Sequence, residues 1–99
     1  MKISVRVRGE WFAVPCIQLD KQTVRWLSDE ALKRYLKLKP SSHVPNVSPL
    51  ETVYEVRKTK GGAILDPDDL IQDVLDDNDF VSIGMSHNWF TFIKLYIII

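Results

Sequence analysis

Few side chains in this 99-residue sequence are of a type that does covalent chemistry: one cysteine, Cys16, and two histidines, His43 and His87. Nucleophilic catalysis needs an activated Ser or Cys with a base in reach. Cys16 ends an alternating stretch whose apolar positions face one way, so its thiol reads as a small packed hydrophobe. His43 falls in a polar, proline-marked segment and His87 in the tail, neither with a ligand partner at metal-binding spacing. No zinc pattern and no phosphate-cradling glycine loop is present, and neither a metal nor another cofactor is expected. The densest chemical feature is acidic: Asp66, Asp68, Asp69, Asp73, Asp76, Asp77 and Asp79. A calcium loop of EF-hand type needs alternating acidic ligands, a central Gly and a distal Glu. Pro67, Leu70 and Ile71 break that pattern. Paired carboxylates also serve as general acid and base, but nothing around these implies the apolar enclosure that such work requires.

Charge distribution points instead to association. Lys plus Arg and Asp plus Glu are 13 each, for a net charge of zero. The even total hides a division: residues 1–60 carry twelve basic and six acidic side chains, residues 61–99 one and seven. A chain of +6 followed by −6 can present opposite surfaces to another copy of itself. The expected basic surface is Arg6, Arg8, Trp11, Lys33, Arg34 and Lys37; the acidic one is Asp66, Asp68, Asp69 and Asp73. Such a contact is heterologous and propagates into rings or filaments. Affinity needs an apolar centre besides, for which Trp11 is the candidate. A plainer reading stands beside it, in which the aspartates cap and solvate a helix and Trp11 stacks with a neighbouring arginine. Zero net charge argues against a nucleic-acid partner. No apolar run reaches the roughly 20 residues of a membrane span, and a single cysteine with no signal-peptide pattern fits a cytoplasmic setting.

The elements that must position these residues follow from periodicity. Ile3-Ser4-Val5-Arg6-Val7-Arg8 alternates as a half-buried strand. A two-residue turn at Gly9-Glu10 sets Val7 opposite Phe12, Val5 opposite Val14 and Ile3 opposite Cys16, all facing a core, with Arg8 beside Trp11 and Arg6 beside Ala13 on the other face. Thr23 caps a helix whose stripe is Val24, Leu27, Ala31, Tyr35 and Leu38, with Asp29–Lys33 and Glu30–Arg34 as i,i+4 pairs. Pro40 ends it, and 41–49 form a loop. A strand follows over 50–58, then a Gly61-Gly62 turn and at most a short strand at 63–65. Asp66 caps a second helix with Pro67 in its first position and Asp68 and Asp69 in its first turn, while Leu70, Val74 and Leu75 face inward. A strand over 80–83 closes the domain. The order β-β-α-β-β-α-β indicates an α+β, ubiquitin-like β-grasp roll over residues 1–85, with the long helix on one face of the sheet.

The block Val7-Arg8-Gly9-Glu10-Trp11-Phe12-Ala13-Val14-Pro15-Cys16 resembles the N-terminal domain of animal-type histidine ammonia-lyases, as do Arg34–Pro40 and Leu75–Val81. The stretch Gly61–Asp69 is closer to a related domain that opens the partitioning-defective polarity scaffold. The resemblance covers about residues 1–84. For the scaffold it implies front-to-back self-association through basic and acidic surfaces; for the lyase it implies self-association or regulation. The expected partner is another copy of the chain, a catalytic body or another protein. Complete lyases convert histidine to urocanate with a cofactor made from an internal Ala-Ser-Gly, a tripeptide this sequence lacks. The chain is therefore expected not to be an enzyme by itself. Residues 86–99 depart from the resemblance. Their run Trp89–Ile99 is intensely apolar and is read as a chain end not selected to fold, in preference to an added strand or a membrane-surface anchor.

Overall fold

A computed structural model describes residues 1–38 and 51–87, with 51–54 and 85–87 described by their backbone alone. His43, Pro40, the loop over 41–49 and the run Trp89–Ile99 lie outside the described residues. Strands β1 (Lys2–Val7) and β2 (Glu10–Pro15) form a hairpin, followed by helix α1 (Val24–Leu38), β3 (Glu51–Lys58), the short helix α2 (Ile71–Val74) and β4 (Phe80–His87). The sheet order is β2-β1-β4-β3. β4 runs parallel to β1 over Ser4–Arg6 and antiparallel to β3. This mixed α+β sheet is consistent with the ubiquitin-like roll expected from the sequence.

The core follows the alternation. Ile3, Val5, Val7, Phe12, Val14 and Cys16 are all buried and meet Val24, Leu27, Ala31 and Tyr35 of α1. Phe12 and Tyr35 meet edge to face, with ring centroids 6.2 Å apart. Each fully buried aliphatic side chain in such a core contributes about 1.5–3 kcal/mol of transfer free energy. The stripe stops one turn short of its expected end: Leu38 is 60% exposed, while Ser28, off the apolar pattern, is buried. Ser28 is tolerated there because its hydroxyl donates to the Arg25 carbonyl at 2.9 Å.

Three local expectations are corrected. The hairpin turn is Arg8-Gly9, one step earlier than expected, so Val7 pairs with Glu10, Arg6 with Trp11, Val5 with Phe12 and Ile3 with Val14. Both turn residues have positive φ, 51° and 84°. That geometry matches the right-handed twist of the flanking strands. The second helix starts at Ile71 instead of Pro67. Asp66-Pro67-Asp68-Asp69 is a turn, closed by Asp69 N–H donating to the Asp66 carbonyl at 3.1 Å and by Asp68 N–H donating to Asp66 Oδ1 at 2.9 Å. Pro67 and the aspartates suit the second and flanking positions of such a turn as well as a helix start. Finally, the short strand at 63–65 is a single bridge, Ile64 to Arg57, so the order is β-β-α-β-α-β. Gly61 and Gly62, with φ of 87° and 72°, make the expected turn before it.

Candidate interaction surface

The acidic loop is built into the start of α1. A helix leaves its first four N–H groups without partners of its own. Here Val24 N–H donates to the Asp69 carbonyl and Arg25 N–H to the Pro67 carbonyl, both at 2.9 Å. Thr23 Oγ1 accepts from Trp26 N–H at 3.1 Å, as the capping reading expects, and the Thr23 carbonyl accepts from Leu27 N–H at 3.0 Å. The loop is fixed further where Ile71 N–H donates to the Gln22 carbonyl at 3.0 Å. Main-chain carbonyls and the Thr23 hydroxyl thus do the capping, which leaves the carboxylates at the surface. Asp66, Asp68, Asp69 and Asp73 are all exposed.

Two of these carboxylates are already engaged, Asp66 within its own turn through Asp68 N–H and Asp68 with the start of α1. Asp68 Oδ1 accepts from Arg25 Nη2 at 2.9 Å. That hydrogen bond and the attraction of the Asp68 charge raise the Arg25 pKa, so Arg25 stays charged at any working pH. Both side chains are exposed, so the pair does little for stability. Arg25 was not among the residues expected to matter. Its signal was its position, because a cation in the first turn opposes the helix dipole unless an anion stands nearby.

The basic residues divide between two places. On the helix, Lys33 and Arg34 both reach Glu30, at 4.0 and 3.9 Å, so Lys33 pairs with Glu30 in place of the expected Asp29. At about 1.5 Å per residue, Lys33 and Lys37 stand roughly 12 and 18 Å along the axis from Arg25. The acidic loop and the helix cations therefore lie at opposite ends of α1.

On the hairpin, Arg8 lies over the Tyr35 ring at 6.0 Å, tying the turn to the helix. Arg6 points to the opposite, open face of the sheet, with its guanidinium 6.0 Å from the Trp11 ring centroid. Trp11 also meets Phe80 edge to face at 5.5 Å. These two rings are 47% and 52% exposed, so the pair presents aromatic surface to solvent. Phe80 too was overlooked as a surface residue, although Phe80 and Ser82 alternate with the inward-facing Val81 and Ile83. A shallow cleft of about 260 Å³, lined by Arg6, Arg8, Gly9, Ser82 and Ile83, opens on the hairpin side.

For chemistry the arrangement offers little. Cys16 is buried and its Sγ lies 3.6 Å from the Val14 carbonyl. Burial raises the thiol pKa, against smaller opposing effects of the N-terminus and Arg34, so the inert protonated form is favoured. Among the described residues, no group of three or more His, Cys, Asp or Glu side chains could hold a metal ion, and no helix is long and apolar enough to cross a membrane.

The family described as N-terminal of Par3 and HAL proteins matches residues 1–86. The chain belongs to this family. Its Par3/HAL N-terminal sequence is similar to that of histidine ammonia-lyase of Rattus norvegicus, 45% identical over 82 residues, which is 83% of this chain and 12% of the relative. Partitioning defective 3 homolog B of Mus musculus is 37% identical over 79 residues, 80% of the chain and 6% of the relative. Tonsoku-like protein of Mus musculus is 32% identical over 81 residues, 82% of the chain and 5% of the relative. The chain thus spans about an eighth or less of each of these relatives. The Par3/HAL N-terminal match covers both helices and all of the described sheet except its last residue, His87.

Proposed function

We propose that this chain is a non-catalytic interaction module that associates head to tail with further copies of itself, the acidic loop of one docking on the basic surface of the next. The observation that carries this reading is the placement of the acidic loop and the helix cations at opposite ends of α1, since opposite charges on separate surfaces favour an open, heterologous contact. The family comparison supports a modular role, because the same 80-residue unit accompanies proteins with unrelated names. In a lyase-type parent, the module would join histidine breakdown by association or regulation in a reducing, cytoplasmic setting, without performing the deamination itself. A polarity-scaffold parent would use the same contact as an oligomerisation device. The identity to histidine ammonia-lyases, 45% against 37%, favours the first.

Light scattering across a salt series tests the reading. The expected result is a particle size that falls as salt rises, and falls at low salt in the double variant Asp68→Lys, Asp69→Lys. A monomer at every salt concentration overturns self-association. Turnover of histidine by the isolated chain would overturn the non-catalytic assignment.

A further inference from the structure

The two outer edges of the sheet differ. The edge of β3 is closed over Val56–Lys58, where Lys58 N–H donates to the Ala63 carbonyl at 2.9 Å and Leu65 N–H to the Val56 carbonyl at 2.8 Å. At the other edge, β2 pairs with β1 alone among the described residues. The hairpin register shows which groups β2 leaves over. Val7 and Glu10 flank the two-residue turn, so Val7–Glu10, Val5–Phe12 and Ile3–Val14 are the pairs that exchange hydrogen bonds. Trp11 and Ala13 lie between these and turn their N–H and C=O groups outward. Pro15 has no N–H and ends the window. We propose that this edge takes an extended, acidic segment of another protein as an added strand, held by the main chain of Trp11 and Ala13 and by Arg34. The site is separate from the contact between copies and does not depend on it.

Charge complementarity selects the occupant. Arg34 stands on the flank of α1 beside this edge, near enough to Cys16, just beyond β2, for its charge to act on the thiol. Its Nε is buried with no hydrogen-bond partner among the described residues. Its Nη2 lies 3.9 Å from Glu30, too far for a hydrogen bond. A buried donor left unpaired costs free energy, which a carboxylate brought to the edge would relieve. The carboxylates of β2 and of this flank are Glu10 and Glu30, and Glu30 is already shared by Lys33 and Arg34. Leu38, one turn beyond Arg34 on the same flank, is exposed and offers apolar contact to a side chain of the added strand. Main-chain pairing gives such a strand its affinity, and the side-chain seats give it specificity. A second copy fits less well, because a two-fold, edge-to-edge pair would set each Arg34 flank against its like.

The test follows backbone amides of the full chain during titration with a synthetic peptide, a run of valines flanked by aspartates. One control peptide carries lysines in place of the aspartates, and another carries proline at its centre. The amides of Trp11 and Ala13 should shift most and exchange more slowly with solvent, while those of residues 66–69 stay in place. Neither control should bind. Arg34→Gln should weaken the acidic peptide about tenfold or more, as loss of a hydrogen bond to a charged group does. Ala13→Pro should abolish binding and keep the β1 ladder, to which Ala13 donates nothing. Circular dichroism checks the fold of both variants, and Arg34→Gln alters only a helix flank should Ala13→Pro fail to fold. Unchanged affinity in Arg34→Gln, equal binding of the lysine peptide, or no shift at millimolar acidic peptide overturns the proposal. So does slow exchange of Trp11 and Ala13 without peptide: independent of concentration, it places the chain's own residues on the edge; rising with concentration, a second copy.

Discussion

The two ends of α1 are finished in different ways. At its start the main chain of the acidic loop supplies the missing acceptors, through the Pro67 and Asp69 carbonyls. Toward its end side chains do the joining, with Arg8 over Tyr35 and Glu30 between Lys33 and Arg34. The difference separates stability from display. Where backbone supplies most of the caps, the carboxylates stay at the surface, although Asp68 is paired with Arg25 and Asp66 is bonded within its own turn. Where side chains do the joining, part of the charge is spent within the molecule.

The largest expected effect breaks both ends at once. Leu27 is fully buried at the centre of the helix–sheet contact. Leu27→Ala should lose about 2–5 kcal/mol in denaturant unfolding, enough to unfold a marginal domain. A loss below about 1 kcal/mol would show that the helix is not what ties the two ends together. The next two variants address one end each. Gly9→Ala puts a side chain at a φ of 84°. Nothing lies within 4 Å of the added Cβ, so its cost is conformational, about 1–2 kcal/mol, and should appear in the thermal midpoint. Thr23→Ala removes the side-chain acceptor of Trp26 N–H and should cost about 1 kcal/mol. Because backbone carbonyls still cap Val24 and Arg25, the acidic loop should stay docked, as amide shifts of residues 66–71 would report.

The smallest effect is a pH dependence. Burial raises the folded pKa of Cys16 above its unfolded value. The unfolded chain then binds fewer protons in the window between the two values, so stability declines with pH there. The contribution is fully present below the unfolded thiol pKa and is lost as pH rises through the folded one. Unfolding midpoints taken across the alkaline range should fall in the wild type and hold steady in Cys16→Ala.

Much of the fold was legible because periodicity survives local error. The expected and observed hairpin registers differ by two residues, an even number, so every side chain keeps its face. The turn itself was ambiguous, since glycine suits the first position of one two-residue turn and the second of another. Asp66-Pro67-Asp68-Asp69 failed for a similar reason: a helix start and a proline turn ask for the same residues. Leu38 continues a helical stripe beyond the sheet that buries it. The charge clusters were plain in the sequence, but the Arg25–Asp68 pair joins residues 43 apart and needs the topology to bring them together. Phe80 became prominent only once Trp11 was found beside it.

The capping of α1 by the acidic loop also bears on how the chain acquires its structure. The first turn of the helix is incomplete until a segment more than forty residues downstream arrives. Helix nucleation is already unfavourable, and here the closing acceptors are supplied late. The amides of Val24 and Arg25 should therefore exchange with solvent in step with those of the loop, as one cooperative opening unit. Undocking the loop exposes donors of the helix as well as its own backbone, so the display surface and the first turn of α1 live or melt together.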